Sequence, residues 1–160
     1  WPASSKVTAS VMAVESGVIA VTDDSGLLIE PALLTQAERI HRQLRPKMPE
    51  DYVDRMAVVF ANGGRMAVGV EAGEVVCAAV WRLLEKAEGR RMFVDDLVSD
   101  QSARSRGAGR RMLTWLEDKS RTLACGVLAL DSGVQRHAAH RFYFREAINI
   151  SAYSLRKIIK

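Results

Sequence analysis

The sequence predicts a mixed α/β (α+β) domain, and three observations predict this class. Apolar residues recur at three- and four-residue steps in two early segments, which is the spacing of amphipathic helices. A run of β-prone segments separated by turn residues follows, and strands and helices alternate after it. The 160 residues, 48% hydrophobic and 26% charged, fit one globular domain with a buried core. We expect residues 31–160 to form this domain.

The first 30 residues are predicted to form an N-terminal strand-and-turn segment. The chain begins with Trp1 rather than Met, so whether all of residues 1–30 are native is left open. Helical spacing then runs over residues 31–44 and ends at Arg45-Pro46, because the residue before a proline is pushed away from the α region. A second helix is expected over about 49–60.

Three predicted strands form an antiparallel meander after these helices. The runs 66–70 and 75–84 flank the turn at 71–74, which is typical of a hairpin. A third strand over 91–99 follows the turn at 86–89. The remaining elements alternate: a helix over 107–121, a strand over 126–130, a helix over about 136–147 and a closing strand over 148–159.

The charge balance narrows the class of partner. The chain carries 23 basic and 19 acidic residues, for a net charge of +4, which suits nucleic acid, an anionic membrane or an anionic small molecule. Aromatic residues make up only 6% of the chain, so the stacking surface that single-stranded nucleic acid needs is poorly supplied. We therefore expect an anionic small molecule and no nucleic acid.

Signals for a membrane, for secretion and for metal are weak. No run approaches the roughly 18 apolar residues of a membrane helix, and residues 7–21 lack the cationic front and compact apolar block of a signal peptide. Cys77 and Cys125 lie in apolar surroundings, which is typical of buried thiols in a reducing cytoplasm. The cysteines and histidines show neither CxxC nor HExxH spacing. We expect a cytoplasmic protein with no metal and no membrane association.

The segment after the third predicted strand has the chemistry of an anion site. It is basic, contains two glycines and opens an amphipathic helix: Arg104-Ser105-Arg106-Gly107-Ala108-Gly109-Arg110-Arg111. Glycine permits close backbone approach, and the first amides of a helix have no intrahelical acceptor. The positive end of the helix dipole adds to this attraction. The pattern indicates a cradle for a diphosphate.

Two common nucleotide motifs do not fit this segment. A P-loop requires Gly-Lys-Ser/Thr after its glycines. The dinucleotide fingerprint requires GxGxxG inside a parallel unit, whereas the spacing here is Arg104-x-x-Gly107-x-Gly109 and the preceding strands form a meander. The diphosphate ligand is therefore of another class.

The spacing Arg104-x-x-Gly107-x-Gly109 resembles the (Gln/Arg)-x-x-Gly-x-(Gly/Ala) signature of the GNAT superfamily of acyl-CoA-dependent N-acetyltransferases. Residues 94–98 are similar to the family's fourth strand, residues 128–133 to its fifth strand, and Ala139-His140-Arg141-Phe142-Tyr143 to its fourth helix. The resemblance covers about residues 31–158. It implies the GNAT fold, with a mixed, mostly antiparallel sheet of six to seven strands, splayed fourth and fifth strands, and about four flanking helices.

The resemblance also implies an acyltransferase that moves acetyl from acetyl-CoA to an amine by direct attack. Strand backbone would hold the pantetheine arm, and the turn would hold the pyrophosphate. The cofactor-binding residues implied in this way are Leu97, Val98 and Ser99 on the strand, and Arg104, Ser105, Arg106, Gly107, Ala108, Gly109 and Arg110 in the turn.

Three residues are candidates for the chemistry. Helical periodicity alone favours a core tyrosine at Tyr143, whereas the family pattern implies that Tyr143 protonates the departing thiolate. A phenol with a pKa near 10 remains protonated at neutral pH, as such a donor must. Asp95 and Asp96 are adjacent, so we expect them to face opposite sides of a strand, with one of them contacting or deprotonating the acceptor amine.

The chain departs from the family pattern at two positions. Ser105 stands where Gly is frequent, and Ala147 stands where the last helix commonly ends in Gly. Because alanine resists the left-handed conformation, a shifted helix exit is expected at Ala147. These departures and the basic surplus leave open a non-catalytic module that binds acyl-CoA or nucleic acid. The identity of the amine acceptor and the formation of a homodimer are also left open.

Overall fold

The computed structural model describes residues 16–103 and 107–159. Within them one sheet has five strands in spatial order β1-β2-β3-β4-β5. The first four strands are antiparallel, and β5 runs parallel to β4. The strands are β1 (Ser16–Ala20), β2 (Arg65–Glu71), β3 (Glu74–Lys86), β4 (Gly89–Ser99) and β5 (Val127–Leu130).

Within the described residues, four helices accompany the sheet, and a single 3-10 turn covers Gln101–Ala103. None of the helices in the described residues combines the length and the apolar character needed to span a bilayer. The helices are α1 (Pro31–Leu44), α2 (Tyr52–Ala61), α3 (Ala108–Thr122) and α4 (His137–Arg145).

Local sequence explains where the first two helices begin and end. α1 begins at Pro31, whose fixed φ suits the first helical position, and it stops before Pro46 as predicted. α2 is capped by Asp51, whose carboxylate accepts a hydrogen bond of 3.1 Å from the backbone N–H of Asp54. Such a cap satisfies one of the amides that a helix start leaves unpaired.

The sheet separates two hydrophobic cores. On one face, α1 and α2 pack against alternate strand residues, and the centre of this core includes Ile40, Met56, Val68, Val80 and Val98. On the other face, α3 packs against the intervening residues, which include Trp81, Met92 and Val94. This arrangement fixes β4 between α1 and α3, and β4 carries the predicted site residues 95–99.

Two expectations about the sheet need correction. The described residues form five strands rather than six to seven, and the predicted strand over 148–159 is absent from them. The apolar residues Tyr153 and Leu155 are 88% and 93% exposed. A strand forms only when a neighbouring backbone accepts and donates its hydrogen bonds, and β-prone composition does not supply that neighbour. Of the predicted N-terminal segment, residues 1–15 lie outside the described residues, whereas β1 pairs with β2.

Candidate active site

β4 contains a bulge at Asp95, which is an extra residue relative to β3. Its two neighbours on β4 pair with the consecutive residues Val80 and Trp81. A bulge of this kind breaks the period-2 alternation of side chains. Asp95 Oδ2 accepts a hydrogen bond of 2.7 Å from Arg82 Nε, and Arg82 also donates to a backbone carbonyl at the end of α2. Asp95 and Asp96 therefore lie on the same face, under α1 and α2, and the expectation of opposite faces is wrong.

Asp96 is held by a side chain of α1 and by the residue that follows α1. Its Oδ2 lies 2.9 Å from Nε2 of the buried His41, and its Oδ1 accepts a hydrogen bond of 2.6 Å from Arg45 Nε. Burial raises the pKa of Asp96, but the hydrogen bonds from His41 and Arg45 outweigh burial and bring the pKa below its ordinary value. Asp96 is consequently a carboxylate at neutral pH.

β4 and β5 pair along only part of their length. The last registered pair is Val94 with Leu130, whereas β4 continues to Ser99. From there on, no strand of the described chain pairs with the β5-facing edge of β4, so its N–H and C=O groups are open to a ligand. The predicted residues Leu97, Val98 and Ser99 lie along this edge. The side chain of Val98 is buried in the core, so only its backbone can contact a ligand.

α3 begins at a left-handed glycine. Gly107 caps the helix with a φ of +82°, a conformation that glycine adopts without steric cost. At Gly109, a Cβ atom would lie 3.2 Å from Ser99 Oγ and 3.6 Å from the ring of Phe142 on α4. Because Gly109 has no side chain, the start of α3 packs closely against both β4 and α4.

The first turn of α3 has backbone N–H groups without helical acceptors, at the positive end of the helix dipole. These amides belong to Ala108, Gly109 and Arg110. Arg110 Nε lies 3.4 Å from a carboxylate oxygen of Glu146, which follows α4. The other predicted phosphate-binding residues, Arg104, Ser105 and Arg106, lie outside the described residues.

A cleft of about 780 Å³ opens between the end of β4, the start of α3 and the inner face of α4. Its size is typical of sites for small molecules and cofactors. The predicted residues 97–99 and 107–110 line it, and α4 contributes Ala139, Phe142 and Tyr143. The structure therefore brings Tyr143 and the described cofactor-binding candidates together around one cleft, whereas Asp95 and Asp96 do not line it.

Tyr143 is half-buried at the inner face of α4. Burial raises the pKa of its phenol and the nearby Cys77 thiol adds to the rise, while the charge of Arg136 opposes it. Burial also raises the pKa of Cys77 to about 11. Both groups therefore hold their protons at neutral pH, and Tyr143 is the one that lines the cleft.

A small recess of about 30 Å³ adjoins the cleft where β4 and β5 separate. The residues that line it include Asp95, Asp96, Asp131 and Arg45. Within residues 16–103 and 107–159, no group of three or more His, Cys, Asp and Glu side chains has an arrangement that could hold a metal ion. Three residues line both the recess and the cleft: Leu97, Arg136 and Tyr143.

Sequence reasoning missed the side chains that hold Asp96. His41 follows Leu34 and Ala37 by seven and four residues, which places it on the buried face of α1, so a signal for its burial was present. Arg45 carried no such signal, because it follows the last helical residue and its contact with Asp96 crosses 51 positions of sequence.

The end of α4 has the geometry that its sequence disfavours. Ala147 adopts a φ of +61°, and the N–H of Ile148 donates to the carbonyl of Tyr143 at 2.9 Å. The N–H of Ala147 donates to the carbonyl of Phe144 at 3.2 Å. This is the hydrogen-bond pattern of a Schellman motif. The expected shift of the helix exit is therefore wrong, and alanine takes the left-handed position instead.

Known proteins match this chain in both sequence and fold. The model of the acetyltransferase (GNAT) family matches residues 32–146. The uncharacterized N-acetyltransferase YhdJ of Bacillus subtilis (strain 168) is 30% identical over 123 residues, which are 74% of this chain and 86% of that protein.

Solved structures share the fold at lower identity. An acetyltransferase from Trypanosoma brucei superposes with a TM-score of 0.71 at 19% identity, over 90% of this chain and 99% of that chain. AAC(6')-Iy, in complex with the bisubstrate analogue CoA-S-monomethyl-acetylneamine, superposes with a TM-score of 0.75 at 10% identity, over 91% and 98%. The chain belongs to the acetyltransferase (GNAT) family and is an N-acetyltransferase.

Proposed function

We propose that the protein transfers acetyl from acetyl-CoA to an amine, with CoA in the 780 Å³ cleft and the amine at the recess. The observation that carries this proposal is the position of Tyr143, which lines both cavities. A proton donor at that junction can reach the sulfur that leaves and lies close to the nitrogen that attacks.

The described residues fit CoA in three ways. The amides in the first turn of α3 suit the pyrophosphate, and Gly107 and Gly109 allow the close approach that this contact requires. The open edge of β4 at residues 97–99 offers backbone hydrogen bonds to the pantetheine amides. The cleft between them is large enough for the arm. In this proposal Arg104, Ser105 and Arg106 complete the pyrophosphate site.

When bound, acetyl-CoA supplies an acetyl thioester, whose carbon–sulfur bond breaks as the amine nitrogen forms the amide bond. Tyr143 holds at its phenol oxygen the proton that the leaving sulfur requires. Asp95 and Asp96 are among the residues that line the recess, where a carboxylate can bind the ammonium form of the acceptor and accept its proton. Alignment of the two reactants by the cleft and the recess supplies most of the acceleration.

The cofactor site is tested by Gly107→Val, with Gly73→Val as the matched control. Both glycines have a φ near +80°, and neither has backbone within 4 Å of its absent Cβ, so both variants carry similar strain. Only Gly107 lies in the cleft, and we expect its variant to bind CoA at least about tenfold more weakly, because helix-terminal amides lose their approach to the pyrophosphate. Isothermal titration calorimetry measures this. Undiminished affinity in Gly107→Val contradicts the cofactor site.

The catalytic role is tested by Tyr143→Phe, with Tyr153→Phe as a control because Tyr153 is 88% exposed. The Tyr143 variant keeps the ring but loses the proton donor, so kcat is expected to fall by about 100-fold or more while CoA affinity stays unchanged. Release of free thiol from acetyl-CoA gives the rate. Full turnover by Tyr143→Phe, under conditions where chemistry limits the rate, would assign the proton to another group.

The acceptor is to be identified with a panel of amines in the same assay. The bisubstrate analogue bound by AAC(6')-Iy carries acetylneamine, so an aminoglycoside belongs in the panel beside spermidine and a lysine peptide. CoA binding without turnover on any amine would favour a non-catalytic acyl-CoA-binding module. Retention of DNA or RNA with a steep salt dependence would favour a nucleic-acid-binding module.

We also propose a cytoplasmic location and a homodimer. Both Cys77 and Cys125 are free thiols, which fits a reducing compartment. Exposed apolar side chains after α4, such as Ile150, Leu155 and Ile158, are the kind of surface that a second copy buries. Sedimentation equilibrium tests the assembly.

A further inference from the structure

A chain of buried hydrogen bonds leads from Asp96 into the core between α1 and α2. His41 is 1% exposed, and Tyr52 is 2% exposed. Nε2 of His41 lies 2.9 Å from Asp96 Oδ2, and Nδ1 lies 3.1 Å from the Tyr52 hydroxyl. A carboxylate can only accept, so Nε2 carries a proton, and Nδ1 is hydrogen-bonded to the tyrosine hydroxyl. Both ring nitrogens are thus used, and the ring is fixed.

The Asp96 carboxylate has hydrogen-bonding capacity that its protein partners do not use. Arg45 donates to Oδ1 from Nε at 2.6 Å, its Nη2 donates to the backbone carbonyl of Asp95, and His41 donates once to Oδ2. A carboxylate can accept about four hydrogen bonds, so Oδ2 can accept one more. The side chain of Asp96 is 13% exposed and lines the recess, so this acceptor position is within reach of a ligand.

Asp95 is a weaker candidate for the same role. Its partner, Arg82, lies outside the recess lining, whereas Arg45, the partner of Asp96, lines the recess. Arg82 also donates to the carbonyl of Asn62 at the end of α2. The Asp95 carboxylate is therefore held toward β3 and α2, and Asp96 is the carboxylate whose supports border the recess.

We propose that Asp96 binds the ammonium group of the acceptor, and that His41, fixed by Tyr52, is a positioning residue that aims Asp96 Oδ2 at the recess. This inference rests on the proposed function, because it requires an amine at the recess. The ligand class is a protonated primary amine.

Two substitutions of one residue separate positioning from packing. In His41→Gln the amide nitrogen falls near the place of Nε2 and keeps a donor to Asp96. In His41→Asn the amide falls near the place of Nδ1 and that donor is lost. We expect His41→Asn to raise the acceptor KM about 10- to 100-fold, the effect of one hydrogen bond to a charged group, with the acetyl-CoA KM unchanged. His41→Gln restores most of the loss.

The probe is whichever of spermidine, kanamycin and a lysine peptide the wild type acetylates fastest. A folded His41→Asn with an unchanged acceptor KM overturns the proposal, and so does an equal loss in the asparagine and glutamine variants. If His41→Asn does not fold, Tyr52→Phe decides: it keeps the donor to Asp96 but releases the ring, and a rise of about 2- to 5-fold in the acceptor KM is expected. No rise overturns the proposal.

A readout without turnover separates this inference from the proposed function. If no amine is acetylated, the proposed function fails, but ¹³C titration of the Asp96 carboxyl still tests the positioning. The pKa of Asp96 is expected to rise in His41→Asn and to stay low in His41→Gln; equal values in both variants overturn the proposal. The other titratable or charged groups around Asp96 are the same in both variants. They are Arg45 directly after α1, Tyr52 on α2, Arg82 on β3, Asp95 on β4, and Asp131, Arg136 and Tyr143, which follow β5 in the chain.

Discussion

Residues 16–120 and residues 121–159 differ in how they are held, although both contribute strands to one sheet. Every buried residue of the described chain lies in the first region, between Val21 and Ser120. Of the thirteen large hydrophobic side chains that the described chain exposes, eight lie in the second region. The first region therefore has its own hydrophobic cores. The second region, with β5 and α4, contains no buried residue and borders the cleft.

This difference in packing also divides the candidate site between the two regions. Residues 16–120 fix β4 and the start of α3, and so fix the carboxylates of Asp95 and Asp96 and the amides in the first turn of α3. Residues 121–159 supply Tyr143 and one wall of the cleft. Segments with few buried contacts open at lower free energy than the core. We therefore expect ligands in the cleft to stabilise residues 121–159 more than residues 16–120.

The largest effect is expected when the same substitution, isoleucine to alanine, is compared between the two regions. Ile40, on the inner face of α1, is fully buried, and Ile158 is 78% exposed. Ile40→Ala is expected to lower the free energy of unfolding by about 2–5 kcal/mol through lost burial and a residual cavity. Ile158→Ala is expected to change it by less than about 0.5 kcal/mol. Urea unfolding measures both, and similar losses would contradict the division into two regions.

Acid should lower the stability of residues 16–120 through Asp100, which follows β4 and is hydrogen-bonded by side chains of α1. Burial raises the pKa of Asp100, but hydrogen bonds from Arg39, Ser102 and Gln43 outweigh it and lower the pKa to about 2. The carboxyl group has a pKa of about 3.9 when unfolded. Its contribution to stability is therefore complete above about pH 4 and is lost as the pH falls toward 2.

We expect Asp100→Asn to flatten the fall in unfolding free energy over this acid range. Asp118→Asn is the control, because Asp118 is an exposed residue of α3, and it should leave the slope as in the wild type. Urea titrations at several pH values between about 4 and 2 give the slopes. A slope that Asp100→Asn does not reduce would mean that other carboxylates dominate the acid response.

The smallest expected effect uses two left-handed alanines. Ala147, after α4, has a φ of +61°, and Ala72, in the β2–β3 turn, has a φ of +48°. Glycine relieves this conformation, and the gain is expected to be about 0.5–1 kcal/mol in each case. Ala72→Gly should raise the global unfolding free energy, whereas Ala147→Gly should appear mainly as slower amide hydrogen exchange in α4. A global gain from both would show that the two regions unfold together.

The features that the sequence predicted well depend on local signals. Both ends of α1 follow from the proline at each end and the spacing of apolar residues between them. Two turns with a glycine locate the meander, at Gly73 and Gly89. The motif Gly107-x-Gly109 locates the start of α3, because a left-handed cap and a close contact both require glycine there.

The features that it did not predict depend on which residues become neighbours. The bulge at Asp95 exists only relative to the register of β3, so the period-2 pattern of β4 could not reveal it. The segment 148–159 has strand-like composition, but no strand of the described chain pairs with it. The role of His41 depends on Asp96, which is 55 positions away, although its burial was readable from α1.

The bulge at Asp95 also has a consequence for insertions and deletions. Met92, Val94 and Leu97 face α3, whereas Val98 faces α1 and α2. If residue 95 were removed, the side chains of β4 would alternate regularly between the two faces of the sheet. Each of these four residues would still face the core that it faces now. The extra twist of the bulge would be lost, at the point where the β4–β5 ladder ends. A deletion of one codon could thus close the opening between the strands while it preserved the fold.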